Sequence, residues 1–166
     1  MAAAILVTVS AEMAAKVCAE IEKQMLTLSR REVIEKSLRA VGSAVVVDTL
    51  EEAVALSEEI APEHLELAVA DPDTLLKSVS NAGSVFLGHY TPEPLGDYYA
   101  GPNHVLPTNG TARFSSSLCT DSFLKRSTYL SYGKQELLAS ADDIITFAEA
   151  EGLSAHANSI AVRKHS

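Results

Sequence analysis

Short apolar runs alternate with helical patterns along the first half of the chain, and this alternation constrains the fold more than any other feature. Residues 5–9, 44–47, 65–69 and 84–87 are rich in branched aliphatic side chains, as buried strands are. The stretches between them carry helical spacing or helix start signals. Strands connected by helices pair in parallel. We therefore predict an α/β fold, an incomplete Rossmann-like arrangement with a mostly parallel sheet and flanking helices.

The intervening helices have recognisable beginnings. A polar side chain that can accept a hydrogen bond from the first helical turn precedes three of them, and a fourth is predicted over residues 31–40, ending near Gly42. The three signals are Ser10 before the repeat Met13, Val17, Ile21 and Met25, Thr49 with Glu52 three residues on, and Asp71 before Pro72, whose helix should run to about Val79.

From about Asp121 the chain shows only helical patterns. Gly152 ends a helix whose apolar face repeats at three- and four-residue spacing, and Ser154 can cap a last helix. We predict an α/β domain over residues 1–118 and a helical tail over residues 119–166. Such a tail either packs on its own sheet or reaches a partner. The apolar face comprises Leu137, Ala141, Ile144 and Ala148.

Residues 83–116 form a long stretch that holds four of the six prolines and five of the eight glycines. Loops of this length are usually functional or disordered. Apolar and aromatic side chains such as Phe86, Tyr98 and Tyr99 are unusual in disordered tracts, so the prediction is an ordered loop that holds a site.

Charge and composition limit the classes of partner. The formal net charge of −9 and the lack of a basic run argue against nucleic acid and against anionic membranes. The apolar residues at the start are too few to span a bilayer and lack a basic flank. Cys18 and Cys119 lie far apart and outside any CxxC pair, which is typical of reduced thiols in a cytoplasmic protein.

Three groups of polar residues could carry chemistry. Glu63 and His64 follow Pro62 and suit general acid–base catalysis, although a surface pair at a helix–strand junction is the commoner case. Asp97 and His104 offer zinc-type donors, although Asp97 could equally cap a turn. The third group is the tail segment EGLSAHAN, residues 151–158, whose lone histidine is more often an ordinary surface residue.

Five longer strings point to one family. The chain contains APEHLEL (61–67), AGSVFLG (82–88), PLGDYYAGPNHVLPT (94–108), ARFSSSL (112–118) and EGLSAHANSI (151–160). In this order they resemble the signature blocks of the histidinol dehydrogenases, and the chain resembles the carboxyl-terminal part of such an enzyme.

The resemblance implies an activity and a set of site residues. Histidinol dehydrogenases are zinc-dependent cytoplasmic homodimers that oxidise L-histidinol to L-histidine with two NAD molecules, in the last steps of histidine biosynthesis. Glu63 and His64 would be the catalytic pair, and Asp97 and His156 would be zinc ligands. His64, Asp97 and His156 would also contact the substrate. His104 and Glu151 would be two further substrate contacts.

The resemblance also implies that this chain is incomplete as an enzyme. In the family a glutamine and a histidine complete the zinc site from a segment just before the first strand found here, and an upstream domain supplies most of the NAD site. No GxGxxG motif replaces that domain, and no NAD-binding residue can be named.

Several interpretations follow. The chain is dehydrogenase sequence whose chemistry is crippled or absent in isolation, as a truncated gene product, a gene fragment or one piece of a split enzyme with a complementing chain. Alternatively, it is a catalytically inactive binding or dimerisation module. A self-sufficient metal-dependent hydrolase that uses Glu63, His64 and Asp97 is a third and less motivated interpretation.

Overall fold

The computed structural model describes residues 2–164, and this part of the chain is an α/β structure, as predicted. It forms two compact units, of which the first extends to Phe123 and the second begins at Leu124. The strands are β1 (Ile5–Thr8), β2 (Ser43–Val46), β3 (His64–Leu67) and β4 (Ser84–Leu87). The helices are α1 (Ala11–Met25), α2 (Arg31–Val41), α3 (Leu50–Ile60), α4 (Pro72–Leu76), α5 (Glu93–Tyr98), α6 (Lys134–Ala150) and α7 (Ser154–Lys164), and 3₁₀ turns lie at Thr111–Arg113 and Thr120–Phe123.

The strands of the first unit pair in parallel, in two separate ladders. β1 pairs with β2, with Ile5 opposite Ser43, and β3 pairs with β4, with His64 opposite Ser84. Within residues 2–164 no hydrogen-bonded ladder joins the two pairs. The predicted parallel pairing is therefore confirmed, but the strands form two ribbons where we had expected one mostly parallel sheet. Each strand is only four residues long.

The predicted helix starts are confirmed by hydrogen bonds. Ser10 accepts from the backbone N–H of Met13, and Asp71 accepts from that of Thr74. Thr49 accepts from the N–H of Glu52 at the start of α3. The Glu52 carboxylate completes this capping arrangement by accepting from the N–H of the residue before Thr49, at 2.9 Å.

Glu63 and His64, the predicted catalytic pair, lie at the junction between α3 and β3. α3 ends at Ile60, and the next residue, Ala61, is fully buried and adopts a left-handed backbone conformation with φ 49°. Pro62 follows and prevents the helix from continuing. β3 then begins at His64, one residue earlier than the sequence predicts, so His64 is the first residue of a strand.

In the second unit, α6 and α7 pack against each other. Ala141 and Ala148 of α6 and Ala157 of α7 are buried, whereas Ile144, on the predicted apolar face, stays 38% exposed. Small side chains at these positions let two helices approach closely. None of the helices within residues 2–164 has both the length and the apolar character needed to cross a bilayer.

Candidate functional site

The candidate site lies where α5 covers one face of the β3–β4 ribbon. Successive side chains of a strand point to opposite faces, so His64 and Glu66 share a face with Phe86, the partner of Glu66. The rings of His64 and Phe86 are 5.8 Å apart. The backbone N–H of Glu93, the first residue of α5, donates to the Glu66 carboxylate at 2.8 Å. Strand and helix are thereby joined beside His64.

α5 itself was not predicted, since residues 83–116 were interpreted as an ordered loop. Pro92 precedes the helix and Pro94 occupies its first turn, where a proline does not interrupt helical hydrogen bonds. From the sequence, Asp97 could also have capped a turn, but it lies inside this helix. It is four residues after Glu93, so both carboxylates project from one face of α5.

Three donor atoms converge at this face, from His64, Glu93 and Asp97, and all lie within 4.8 Å of one another. The Nε2 atom of His64 is 3.4 Å from Oδ1 of Asp97 and 4.0 Å from Oε1 of Glu93. The His64 and Asp97 side chains are 25% and 20% exposed, so both are largely withdrawn from water. The structure therefore brings together one predicted base and one predicted metal ligand.

Nε2 of His64 is buried and makes no hydrogen bond, despite its two carboxylate neighbours. The 3.4 Å contact is an electrostatic one, since it lies beyond the usual range for a hydrogen bond from a ring nitrogen. A buried polar atom without a partner is costly, so such atoms usually face a group that can bind them. Here the nearest carboxylate oxygens are those of Asp97 and Glu93, at 3.4 Å and 4.0 Å from Nε2.

Negative charge is concentrated at the same place. Burial raises the pKa of Glu93, and the hydrogen bond and negative charge of Asp97 raise it further, with a smaller contribution from Glu66. The nearby His64 acts in the opposite direction. Among residues 2–164 no lysine or arginine forms an ion pair with Glu93 or Asp97. Only a proton or an added cation can relieve the repulsion between these carboxylates.

The donor set suits a zinc ion. An imidazole nitrogen and carboxylate oxygens are both common zinc ligands. Of the predicted ligands, Asp97 lies in this cluster. His156, the other one, lies on α7 in the second unit and is exposed there.

The remaining predicted residues do not join the cluster of donor atoms. Glu63 is half-buried beside His64, and its backbone carbonyl accepts from the N–H of Ser84 at 2.9 Å. His104 is exposed in the chain beyond α5. Glu151 is exposed at the end of α6, in the second unit. The residue that sequence reasoning missed is Glu93, for which the four-residue spacing to Asp97 was an available signal.

Comparisons with known proteins show which family this chain belongs to. The family model described as histidinol dehydrogenase matches residues 1–164. A histidinol dehydrogenase of Caldanaerobacter subterraneus subsp. tengcongensis is 56% identical over 163 residues, which is 98% of this chain and 38% of that protein. One of Clostridium acetobutylicum is 52% identical over the same shares of the two chains.

A solved structure is also similar. The crystal structure of histidinol dehydrogenase from Elizabethkingia anophelis matches with a TM-score of 0.74 and 36% identity, over 96% of this chain and 36% of that one. The chain thus spans a little over a third of the length of the proteins it resembles. The match over nearly all of this chain confirms the predicted family: the chain belongs to the histidinol dehydrogenases.

Proposed function

We propose that this chain supplies part of the active site of a zinc- and NAD-dependent histidinol dehydrogenase that converts L-histidinol to L-histidine in the cytoplasm. Family membership supports the reaction class. The observation that carries the proposal is the 3.4 Å approach of His64 Nε2 to Asp97 Oδ1, because the proposed chemistry needs a base close to a ligand of the metal. A substrate held at Asp97 would have its reacting group within reach of His64.

The proposed chemistry consists of two oxidations. In the first, His64 accepts the proton of the substrate hydroxyl while the adjacent carbon loses hydride to NAD, which gives the aldehyde and NADH. In the second, Glu63 and His64 together remove a proton from water as it adds to the aldehyde carbon. The hydrate then loses hydride to a second NAD and a proton to the pair, which gives the carboxylate.

Zinc would be held by Asp97 and His156 together with ligands outside this chain, and when bound it would fix the imidazole and amine of histidinol. His104 and Glu151 would contact the substrate. Two ligands are fewer than the three protein ligands of ordinary catalytic zinc sites. The proposed zinc site is therefore a shared site that needs further ligands from outside these 166 residues, such as those of a second copy in a homodimer or of a complementing chain.

The test is an NADH absorbance assay of the purified 166-residue chain with histidinol, NAD and zinc, alone and with the part of a relative that this chain does not cover. We expect no sustained turnover alone and turnover after complementation. His64→Asn should then lower turnover by about 10²- to 10⁴-fold, the usual contribution of general-base catalysis, while zinc content falls far less.

His89→Asn is the matched control, because His89 is an exposed histidine of the same unit. Sustained turnover by the chain alone would contradict the shared site. An equal loss of zinc and activity in the complemented His64→Asn enzyme would make His64 a ligand there and contradict its role as the base.

A binding or dimerisation module without catalytic activity is the second candidate. Several aromatic side chains of the first unit are almost fully exposed, which favours a surface that another chain covers. Complementation without turnover, in a complex that forms in size-exclusion chromatography, would favour this candidate. The side chains concerned are Tyr90, Tyr98, Tyr99 and Phe114.

A further inference from the structure

We propose that Arg113 is a positioning residue, which binds the end of α3 and thereby fixes the backbone that presents Glu63 to the substrate. The inference rests on the proposed dehydrogenase chemistry, in which Glu63 and His64 together activate water for the second oxidation. Arg113 acts through the backbone and is not itself a catalytic residue. It lies in the 3₁₀ turn Thr111–Arg113, 54 positions after the residue of α3 that it binds.

The guanidinium of Arg113 donates two hydrogen bonds to backbone carbonyl groups. Nη2 donates to the carbonyl of Glu59 in the last turn of α3, and Nη1 donates to the carbonyl of Gly110 at 3.0 Å. The last carbonyl groups of a helix have no partner within the helix itself. One side chain therefore connects the turn at Thr111–Arg113 to the end of α3.

The charge of Arg113 strengthens this connection. A helix carries partial negative charge at its C-terminal end, where cations stabilise it. The last turn of α3 has no lysine or arginine and contains two acidic residues, Glu58 and Glu59. Within residues 2–164 Arg113 forms no ion pair with a carboxylate, so the carbonyl groups are its partners. Arg113 thus supplies, from a distant part of the chain, the cation that the end of α3 lacks.

The packing at Gly110 is a second and independent sign of close contact. A Cβ atom at this position would lie 2.6 Å from Nη1 of Arg113 and 3.5 Å from the carbonyl oxygen of Ile60, the last residue of α3. Gly110 also has φ 77°, a conformation that glycine adopts without strain. The turn therefore lies directly against the helix end that Arg113 binds.

Glu63 depends on this helix end because only two residues separate it from α3. On the strand side, the carbonyl of Glu63 accepts from the N–H of Ser84 at 2.9 Å, which fixes it to β4. On the helix side, Ala61 is fully buried and donates its N–H to a carbonyl of the last turn of α3 at 2.8 Å. Loss of Arg113 would loosen the helix side and leave the strand side in place.

His64 depends less on Arg113 than Glu63 does. It is the first residue of β3, it lies opposite Ser84 of β4, and its ring is 5.8 Å from that of Phe86. Loss of Arg113 should therefore displace Glu63 more than His64. In the proposed chemistry the first oxidation uses His64 alone and the second uses both residues. The second oxidation should accordingly be the more sensitive of the two.

The experiment compares the two oxidations in the complemented enzyme by NADH absorbance. The first is measured as the initial NADH formed in a single turnover of histidinol, and the second as oxidation of the added aldehyde. We expect Arg113→Gln to slow oxidation of the aldehyde by about 100-fold, the loss typical of a group misplaced by about 1 Å, and to slow the first oxidation far less. Arg113→Lys keeps the charge but not the planar fork, so it should restore part of the rate.

A purely structural role would reduce the amount of active enzyme and would lower both rates by the same factor, which would overturn the proposal. Arg39→Gln is the matched control, because Arg39 is an exposed arginine at the end of α2 whose carboxylate contact, with Glu35, is as long as 4.0 Å. A selective loss of aldehyde oxidation in Arg39→Gln as well would also contradict the assignment.

Amide hydrogen exchange of the 166-residue chain, followed by NMR, tests the same link without an activity assay. In Arg113→Gln the N–H of Ala61 should exchange at least about 10-fold faster, the factor expected for losing one hydrogen bond to a charged group. The N–H of Val47, which donates to Thr8 in the β1–β2 ribbon at 3.0 Å, should be unaffected. Unchanged exchange at Ala61, or equal acceleration at Val47, would refute the positioning role.

The two proposals can fail separately. Absence of turnover in the unaltered, complemented enzyme would contradict the dehydrogenase proposal, and the exchange measurement would still decide whether Arg113 holds the backbone before Glu63. Turnover in the unaltered enzyme with equal rates in Arg113→Gln would contradict the positioning role alone.

Discussion

Among single residues, Gly96 determines how closely α5 can approach the sheet. A Cβ atom at this position would lie 2.4 Å from Cε1 of Phe86, whose ring is only 4% exposed and has little room to move. Glu93 and Asp97 flank this contact on the same helix. The small size of one residue thus holds two carboxylates beside His64.

Gly96→Ala should therefore destabilise the first unit. In an unobstructed helix the change would stabilise by up to about 1 kcal/mol. Overpacking a filled site typically costs about 1–3 kcal/mol, so we expect a net loss in urea unfolding. In a Phe86→Leu background the penalty of Gly96→Ala should shrink, because the overlapping ring atoms are gone. A penalty of equal size in both backgrounds would show that the ring is not the cause.

The approach of His64 to Asp97 was predictable only in part at this scale. The signature strings named both residues as site residues. They did not reveal Glu93, because its placement depends on a helix that the prolines and glycine of its segment conceal. The burial of His64 Nε2 depends on tertiary contacts with α5, which a local pattern does not contain.

Among the elements, α3 is the one whose end fixes the start of β3. Three of its features were readable from the sequence: the Thr49 cap, the Glu52 partner and the proline that follows its last turn. The strand β4 also matches its prediction, at Ser84–Leu87. α4 is shorter than predicted and ends at Leu76. Local signals thus located most elements, whereas the division into two ribbons depends on contacts between strands.

Thr49→Ala should weaken the start of α3 and lower the stability of the first unit by about 1 kcal/mol, since one N-terminal N–H loses its side-chain acceptor. Urea unfolding followed by circular dichroism measures this loss. Thr49→Ser keeps the hydroxyl and is the matched control. If both variants lost the same stability, the cap would not be responsible.

Across the whole molecule, the longest irregular and exposed segment of the second unit is its beginning: residues 124–133 form no helix or strand and are exposed throughout. Short-range patterns predicted the helices that follow but gave no sign of this irregular segment. Exposed backbone without regular hydrogen bonds is the preferred substrate of proteases.

Limited digestion with trypsin should therefore cut first after Lys125 or Arg126 and release the two units as separate fragments. Lys16 and Lys23, which are also exposed but lie on α1, serve as internal controls because their backbone is helical. Mass spectrometry of the first fragments identifies the cleaved bond. Early cleavage within α1 would contradict the expected order.

The position of Asp97 on α5 also affects the loop-closure entropy that is lost when the site forms. His64 and Asp97 are 33 positions apart in the chain, whereas His64 and His156 are 92 apart. Loop-closure entropy rises with the logarithm of this separation, so bringing Asp97 to His64 costs about 1 kcal/mol less than bringing His156 there within the same flexible chain. Loop-closure entropy thus favours Asp97 over His156 as the neighbour of His64.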